Sequence, residues 1–311
     1  MPKHILSANQ FTRQEIEALF TSADELLHGD RETFHTTLRG VSAALLFYEP
    51  STRTRMSFEL AVRYLGGITV STEAAGMFSS AAKGETIEDT VRVLASYGLG
   101  AIIIRHPERG AAERAAAASP IPIINAGDGG DEHPTQALLD LYTILRNTQK
   151  EEIHLTFCGD LEHSRTVRSL CRLIIRHAAP PRFHLTLCSP TNIRLGEDIR
   201  TELTLAGIPF QETDQLADAL KTCDVFYQTR VQKERFGTGE EGAAAHREVQ
   251  DKFRLTLPLV ESMKPEAIIL HPLPRVGEID PAVDTNPRAK YFPEQTRNGL
   301  FVRMALLRSL L

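Results

Sequence analysis

The chain has 311 residues, of which 42% are hydrophobic and 24% charged, a composition typical of a soluble globular protein with room for two domains. The net charge of −5 argues against a nucleic-acid-binding surface, which would require a basic face. No apolar run approaches a membrane span and the N-terminus leads into a polar segment, so we expect an untargeted cytoplasmic protein with no membrane partner.

The first part of the chain alternates between predicted helices and short apolar strands. Thr12 followed by Glu15 is a capping-box pattern that begins an amphipathic helix ending near Leu27. After it, strands are predicted at 41–47, 68–70, 101–104 and 121–124, with helices between them at 52–65, 85–97 and 108–118. This alternation is typical of a parallel sheet covered on both faces by helices.

A second series of the same kind follows. Strands are predicted at 153–158, 183–188, 225–228 and 267–270, and helices at 164–175, 196–205 and 215–220. We therefore predict an α/β fold of two doubly wound parallel-sheet domains, residues 1–133 and 134–291, joined by a helix at 134–145. A C-terminal helix in residues 292–311 is expected to return to the first domain, and residues 237–242 are predicted to form a mobile loop.

Residues 51–55 read Ser-Thr-Arg-Thr-Arg, directly after the first predicted strand and at the start of a helix. A helix N-terminus carries unpaired N–H groups and partial positive charge, so hydroxyls and a guanidinium there add donors for one anion. Residues two apart on a helix point roughly 200° apart, so we assign Arg53 to the anion and Arg55 to an ion pair with Glu59. The alternative is that Ser51 only caps the helix.

Polar residues also follow the other predicted strands, where open parallel sheets bind their ligands. They are mainly cations and neutral donors: Arg105 and His106, His133 to Gln136, Arg165, Arg230 and Gln232, and His271 to Arg275. Alone, Arg105 would often be a surface ion pair and His133 a structural histidine. Their joint placement favours an anion-binding site.

Several other kinds of site are not indicated. Residues 158–160 begin like a dinucleotide loop, but the complete Gly-x-Gly-x-x-Gly motif and the P-loop motif are missing. Four cysteines, Cys158, Cys171, Cys188 and Cys223, contain no Cys-x-x-Cys pair and indicate neither a zinc site nor a disulfide framework. We therefore expect no metal and no cofactor.

Four motifs occur in order along the chain: residues 51–55 (Ser-Thr-Arg-Thr-Arg), 105–107 (Arg-His-Pro), 133–136 (His-Pro-Thr-Gln) and 271–275 (His-Pro-Leu-Pro-Arg). Together they resemble the carbamoyltransferase family, and residues 83–86 and 230–235 resemble its aspartate branch. The resemblance covers nearly the whole chain. It implies transfer of the carbamoyl group of carbamoyl phosphate to L-aspartate in pyrimidine biosynthesis, with the first domain binding carbamoyl phosphate and the second binding aspartate.

The resemblance also implies a role for each matching residue of the carbamoyl phosphate site. The phosphate would be held by Ser51, Thr52, Arg53 and Thr54, with Arg105 bridging phosphate and carbonyl oxygen. The carbonyl oxygen would lie among Thr54, Arg105 and His133. The carbamoyl NH2 would be bound by Gln136 and by the backbone carbonyls of Leu273 and Pro274.

By the same resemblance, the two aspartate carboxylates would be bound by Arg165, Arg230 and Gln232. Lys83 and the serine four residues before it, Ser79, would reach into the site of a neighbouring subunit in a homotrimer, and the adjacent Ser80 is the alternative to Ser79. Regulatory chains are a further possible partner of this family.

This reaction needs no protein nucleophile, because the aspartate amine attacks the carbamoyl carbon and the departing phosphate can take the proton. Glu49 resembles the family's domain-closure residue and is expected to pair with Arg165 or Arg235.

Two other functions compete with this one. The first is transfer to ornithine, but that branch usually carries His-Cys-Leu-Pro where this chain has Pro272, and Arg230 with Gln232 offers donors to an anion. The second is a non-catalytic phosphometabolite-binding protein, which the occupied catalytic positions argue against.

Overall fold

The computed structural model describes residues 3–78, 80–177, 183–232, 236–237 and 239–311, without the side chains of 78, 80 and 81. The chain divides into two compact units, Met1–Tyr142 with Arg297–Leu311, and Thr143–Thr296. The division between the units falls inside a helix, Pro134–Asn147. Within the described residues, no helix combines the length and the apolar character that crossing a membrane requires.

The first unit is built on a parallel sheet of β1 (Ser42–Phe47), β2 (Ile68–Thr72), β3 (Ala101–His106) and β4 (Ile123–Asp128). Its helices are α1 (Arg13–His28), α2 (Arg31–Phe34), α3 (Thr52–Tyr64), α4 (Ala75–Phe78), α5 (Ile87–Ser96), α6 (Ala111–Ala118) and α7 (Pro134–Asn147). The strand order β2-β1-β3-β4 reverses between β1 and β3, and this reversal opens a crevice at their carboxyl ends.

The second unit repeats this plan with β5 (Ile153–Cys158), β6 (Phe183–Cys188), β7 (Phe210–Thr213), β8 (Val225–Gln228) and β9 (Ile268–Leu270). Its helices are α8 (Arg165–His177), α9 (Glu197–Leu205), α10 (Leu216–Thr222), α11 (Glu240–Lys252) and α12 (Leu257–Glu261). The order β7-β6-β5-β8-β9 is parallel throughout and reverses between β5 and β8. The α/β fold class predicted from the sequence is confirmed.

A C-terminal helix, α13 (Thr296–Leu310), belongs to the first unit, as predicted. Its residues from Phe301 to Leu307 are buried, and Arg308 forms an ion pair with Glu25 of α1. The unit that begins the chain is therefore completed by residues that come after the whole second unit.

Some predicted elements differ from the observed ones. Helix α6 begins at Ala111 rather than at residue 108, because Gly110 takes a left-handed conformation with φ +80° and donates its N–H to Asp128. The predicted mobile loop at 237–242 is wrong for its last three residues, which form the first turn of α11. Residue 238 lies outside the described part of the chain.

Candidate active site

The segment between β1 and α3 has the geometry of an anion-binding loop. Ser51 precedes the helix and residues 52–54 form its first turn, with Thr54 buried. The Ser51 side chain makes no capping hydrogen bond, so the alternative in which Ser51 only caps α3 is not supported. The backbone N–H of Ser51 donates to Glu73 at 3.1 Å. The Arg53 side chain is exposed, while partial desolvation lowers the pKa of its guanidinium.

Arg55 is held away from this anion-binding loop. Its Nη1 lies 2.8 Å from Glu59 one turn on, and its Nη2 lies 3.3 Å from Glu73. The predicted ion pair with Glu59 is confirmed, and Arg53 is the arginine of the pentapeptide that remains for a ligand.

Arg105 lies at the end of β3, directly beside the anion-binding loop. The register places it opposite Phe47 of β1, so both strand ends open at the reversal of the sheet. Its Nε lies 3.3 Å from the Glu49 carboxylate. The sequence did not indicate that Arg105 is a partner of Glu49. Pairing of Glu49 with Arg165 or Arg235 stays a prediction, and Arg235 lies outside the described residues.

The turn from β4 into α7 carries His133 and Gln136. His133 is 5% exposed, and its carbonyl accepts hydrogen bonds from the N–H groups of Gln136 and Ala137 at 3.0 and 3.1 Å. The Gln136 side chain donates from Nε2 to Oδ1 of the buried Asp140, at 2.9 Å. The sequence pattern indicated Gln136, but nothing in it indicated that Asp140 holds Gln136.

Residues 5–8 near the N-terminus hold the turn between β4 and α7 in place. Ile5 pairs with Ile124 of β4, and the buried Glu132 accepts hydrogen bonds from Ser7 Oγ at 2.8 Å and from the Ala8 N–H at 3.3 Å. Glu132 directly precedes His133, so residues near the start of the chain hold the position of a predicted site residue.

Lys83 is exposed at the end of a short 3-10 helix, Ser80–Lys83, just before α5. Thr86 caps α5 by accepting from the Asp89 N–H. Ser79 lies outside the described residues and the Ser80 side chain is not described. The proposed reach of this segment into a neighbouring subunit therefore stays a prediction.

The second unit places its own predicted residues after the two strands at the reversal of its sheet. Arg165 is the first residue of α8, and Arg230 and Gln232 follow β8. Gln232 Nε2 donates to the His163 carbonyl at 3.2 Å, which brings the segment after β8 next to the start of α8. The fully buried Asp160 accepts from the His163 N–H at 3.1 Å, an anchor that the sequence did not indicate.

The loop after β9 presents Leu273 and Pro274. His271 and Glu278 are both buried, and His271 Nε2 lies 2.7 Å from Glu278 Oε1. His271 Nδ1 accepts from the Leu273 N–H at 2.7 Å, so Nδ1 carries no proton and Nε2 donates to the carboxylate. Burial acts to raise the pKa of Glu278, but the hydrogen bonds from His271 and the backbone outweigh it and hold that pKa below its usual value.

The site contains no preassembled metal centre within the part of the chain that the structure describes. No group of three or more histidine, cysteine or acidic side chains there could hold a metal ion. All four cysteines are buried free thiols, and burial raises the pKa of Cys171 and of Cys223 to about 12. The chemistry that these two sheet ends can support is anion binding and carbonyl polarisation by fixed donors.

Comparison with known families matches both halves of the chain. The carbamoyl-P binding domain of aspartate/ornithine carbamoyltransferases matches residues 3–146, and their Asp/Orn binding domain matches residues 151–310. The chain belongs to the aspartate/ornithine carbamoyltransferase family. Within this carbamoyltransferase family the chain is 45% identical to aspartate carbamoyltransferase 1, chloroplastic, from Pisum sativum, over 99% of this chain and 78% of that protein.

Further relatives come from other kingdoms. The aspartate carbamoyltransferase catalytic subunit of Methanothrix thermoacetophila is 43% identical, over 99% of this chain and 98% of its own length. The structure of M. jannaschii aspartate transcarbamoylase catalytic subunit superposes with a TM-score of 0.89 at 41% identity, covering 99% and 98% of the two chains. Trypanosoma cruzi aspartate transcarbamoylase with N-(phosphonacetyl)-L-aspartic acid gives 0.89 at 36% identity, covering 99% and 96%.

Proposed function

We propose that this chain is an aspartate carbamoyltransferase, which transfers the carbamoyl group of carbamoyl phosphate to L-aspartate and releases N-carbamoyl-L-aspartate and phosphate for pyrimidine biosynthesis. The observation that carries the proposal is the pair of donor-lined sheet reversals, one in each unit of a chain that belongs to this family. Each reversal can bind one anionic substrate.

The first unit supplies the groups for carbamoyl phosphate. We propose that the phosphate is bound by the start of α3, with Ser51, Thr52, Arg53 and Thr54, and by Arg105 from β3. The carbonyl oxygen is polarised by Thr54, Arg105 and His133. Gln136 binds the carbamoyl NH2, and the backbone carbonyls of Leu273 and Pro274 are proposed as further acceptors.

The second unit supplies the groups for aspartate. We assign its two carboxylates to Arg165, Arg230 and Gln232, because a guanidinium fork matches a carboxylate and the hydrogen bond from Gln232 to His163 draws these segments together. An ornithine side chain would need an acceptor where these residues offer donors. The relatives named above are aspartate enzymes.

The reaction requires no covalent intermediate with the protein. The aspartate amine attacks the carbamoyl carbon, negative charge develops on the carbonyl oxygen, and the phosphate leaves with the proton. A fixed donor aimed at that oxygen contributes about 3–4 kcal/mol to the fall in the barrier, and holding both substrates in place contributes about 7–11 kcal/mol. Neither effect requires a cofactor.

We further propose a homotrimer in which Lys83, with Ser79 or Ser80, completes a neighbour's site. The edge strand β2 supports this assembly, because Ile68 is 61% exposed and Val70 is 50% exposed, and Met56 and Leu60 of α3 are also exposed. An apolar, unpaired sheet edge is a surface that a partner chain covers. Binding of regulatory chains and a cytoplasmic location also stay predictions.

The proposed function is tested by product formation from carbamoyl phosphate with aspartate and with ornithine. We expect carbamoyl aspartate and no citrulline. Arg53→Ala should lower kcat/KM by at least about a hundredfold, since a charge-assisted phosphate contact and its field are lost, whereas Arg13→Ala, which removes an exposed arginine paired with Glu17 on α1, should leave it unchanged. Citrulline as the main product would identify the ornithine branch, and absence of both products with tight phosphate binding would identify a non-catalytic protein.

A further inference from the structure

Two buried ionisable side chains of the first unit, Asp140 and Arg303, interact electrostatically. Asp140, one helical turn after Gln136 on α7, is fully buried, and its Oδ1 accepts from Gln136 Nε2 at 2.9 Å. Arg303 of α13 is only 4% exposed. A carboxylate buried this deeply keeps its charge only beside a cation or several donors.

Arg303 is positioned to be that cation. Its Nη1 donates to the Gly299 carbonyl at 3.3 Å, and its guanidinium carbon lies 5.2 Å from the centre of the Phe58 ring. A Cβ at Gly299 would lie 2.9 Å from Arg303 Nη1 and 3.0 Å from Leu139 of α7, so the guanidinium lies against Gly299 and close to α7. Burial lowers the pKa of Arg303 to about 10, while the charge of Asp140 acts in the opposite direction.

The chemistry of these groups fixes which way the Gln136 amide faces. An ionised carboxylate accepts hydrogen bonds and cannot donate them, so the side of the amide that faces Asp140 must be the NH2 group. The amide oxygen is then what Gln136 can offer to a ligand. An amide oxygen can accept a hydrogen bond from a ligand that carries N–H groups. A methyl group of the same size offers it no hydrogen bond.

We propose that Asp140, kept ionised by Arg303, is a positioning residue that sets the Gln136 amide so that its oxygen accepts from the carbamoyl NH2. By this device the protein prefers carbamoyl phosphate to acetyl phosphate, which has the same phosphate and carbonyl but a methyl group in place of NH2. This inference rests on the proposed function and assigns part of its substrate specificity to two residues that make no contact with the substrate.

The test compares binding of carbamoyl phosphate, acetyl phosphate and inorganic phosphate to the native protein and to Asp140→Asn. Asparagine has nearly the same shape but can present its NH2 group to Gln136, in which case the Gln136 amide turns over and its own NH2 group faces the ligand. We expect carbamoyl phosphate to bind about tenfold more weakly, as for the loss of one hydrogen bond. The affinities for acetyl phosphate and phosphate should stay within about twofold.

Two further variants separate positioning from general destabilisation. Tyr142→Phe is the matched control, because it removes another hydrogen bond of α7, from the Tyr142 hydroxyl to Asp24 at 2.6 Å, and should leave all three affinities unchanged. In a Gln136→Ala background, Asp140→Asn should cause no further loss of carbamoyl phosphate affinity, since it acts only through Gln136. Equal weakening of all three ligands, additive losses in the double variant, or a native preference retained in Asp140→Asn would each overturn the proposal.

A measurement on the native protein covers the case in which Asp140→Asn does not fold. The side-chain NH2 resonances of Gln136, identified by their absence from Gln136→Ala, should remain hydrogen-bonded and protected with phosphate and with carbamoyl phosphate. Loss of that protection when carbamoyl phosphate binds would show that the NH2 group turns to the ligand and would overturn the proposal. Failure of the native protein to form carbamoyl aspartate would instead reject the proposed function.

Discussion

Single side chains in this protein have their hydrogen-bonding direction set by a second, buried side chain. Glu278 determines which nitrogen of His271 carries the proton, and the other nitrogen then accepts from the Leu273 N–H. Asp160 anchors His163, whose carbonyl accepts from Gln232, by accepting from the His163 N–H. In both cases a carboxylate of low exposure acts on the site through a neighbour and needs no contact with a substrate.

The lowered pKa of Glu278 leads to a prediction about acid stability. A carboxyl group whose pKa is lower in the folded state stabilises the fold above its unfolded pKa of about 4.3, and this contribution is lost as pH falls through the folded value. Glu278→Gln can satisfy only one of the donors from His271 and Val276. It should therefore reduce the free energy of unfolding by about 1–3 kcal/mol at neutral pH, and the difference from the native protein should shrink in acid.

Urea unfolding at neutral pH and at about pH 3 measures this difference. Glu261→Gln, at an exposed position of α12, is the control and should change stability by less than about 0.5 kcal/mol at either pH. A difference between native protein and Glu278→Gln that does not depend on pH would contradict an ionised Glu278.

At the scale of elements, the sequence predicted those strands and helices that have a clear local pattern of apolar residues. The bounds of β5, β6 and β8 agree with the prediction to the residue, because apolar runs between turns define buried parallel strands. The edge strand β7 was not predicted, since its residues Phe210–Thr213 are mixed in character and only partly buried. Helix α11 was missed because its one buried residue is Gly242 and it has no apolar face to detect.

The residues of the candidate site also differ in whether a local sequence pattern indicates them. Residues 51–55, Arg105 and Arg165 could be located because each follows an apolar strand, and the strand order then places each of them near the reversal of its own sheet. Asp140, Glu132 and Glu278 could not be identified as supports of the site. Their roles depend on Arg303, Ser7 and His271, and for the first two these partners lie more than a hundred residues away, a distance over which no local pattern acts.

The N-terminal segment gives a prediction at the scale of elements. Ser7→Ala removes one donor to the buried Glu132 carboxylate and should lower the free energy of unfolding by about 1.5–3 kcal/mol, the usual range for a hydrogen bond to a charged group. It should also lower kcat, because the turn that carries His133 loses a support. Urea unfolding and steady-state kinetics measure the two effects.

Ser309→Ala is the matched control for Ser7→Ala. The Ser309 hydroxyl donates only back to the Leu306 carbonyl of its own helix, so its removal should change stability by less than about 0.5 kcal/mol and leave kcat unchanged. Equal effects of the two substitutions would show that the Ser7–Glu132 bond contributes nothing particular to the turn.

At the scale of the whole molecule, the proposed trimer predicts recovery of activity in mixtures. Arg53→Ala and Lys83→Gln chains should each be nearly inactive alone. After subunit exchange, some sites of a mixed trimer would combine an intact Arg53 with an intact Lys83, and up to roughly a quarter to a third of native activity should return, as random mixing implies. Activity assays with sedimentation analysis make the measurement, and full activity of Lys83→Gln alone, or no recovery after proven exchange, would contradict a shared site.

The placement of α13 has a consequence for the order in which the chain folds during synthesis. The first unit needs residues 297–311 to close its core, and Arg303 to balance Asp140, yet the ribosome makes the entire second unit before it reaches them. The second unit, which is proposed to bind aspartate, can therefore fold while the core of the first unit is still incomplete. A released chain truncated after residue 296 should hold a protease-resistant second unit and a first unit that proteases still cut.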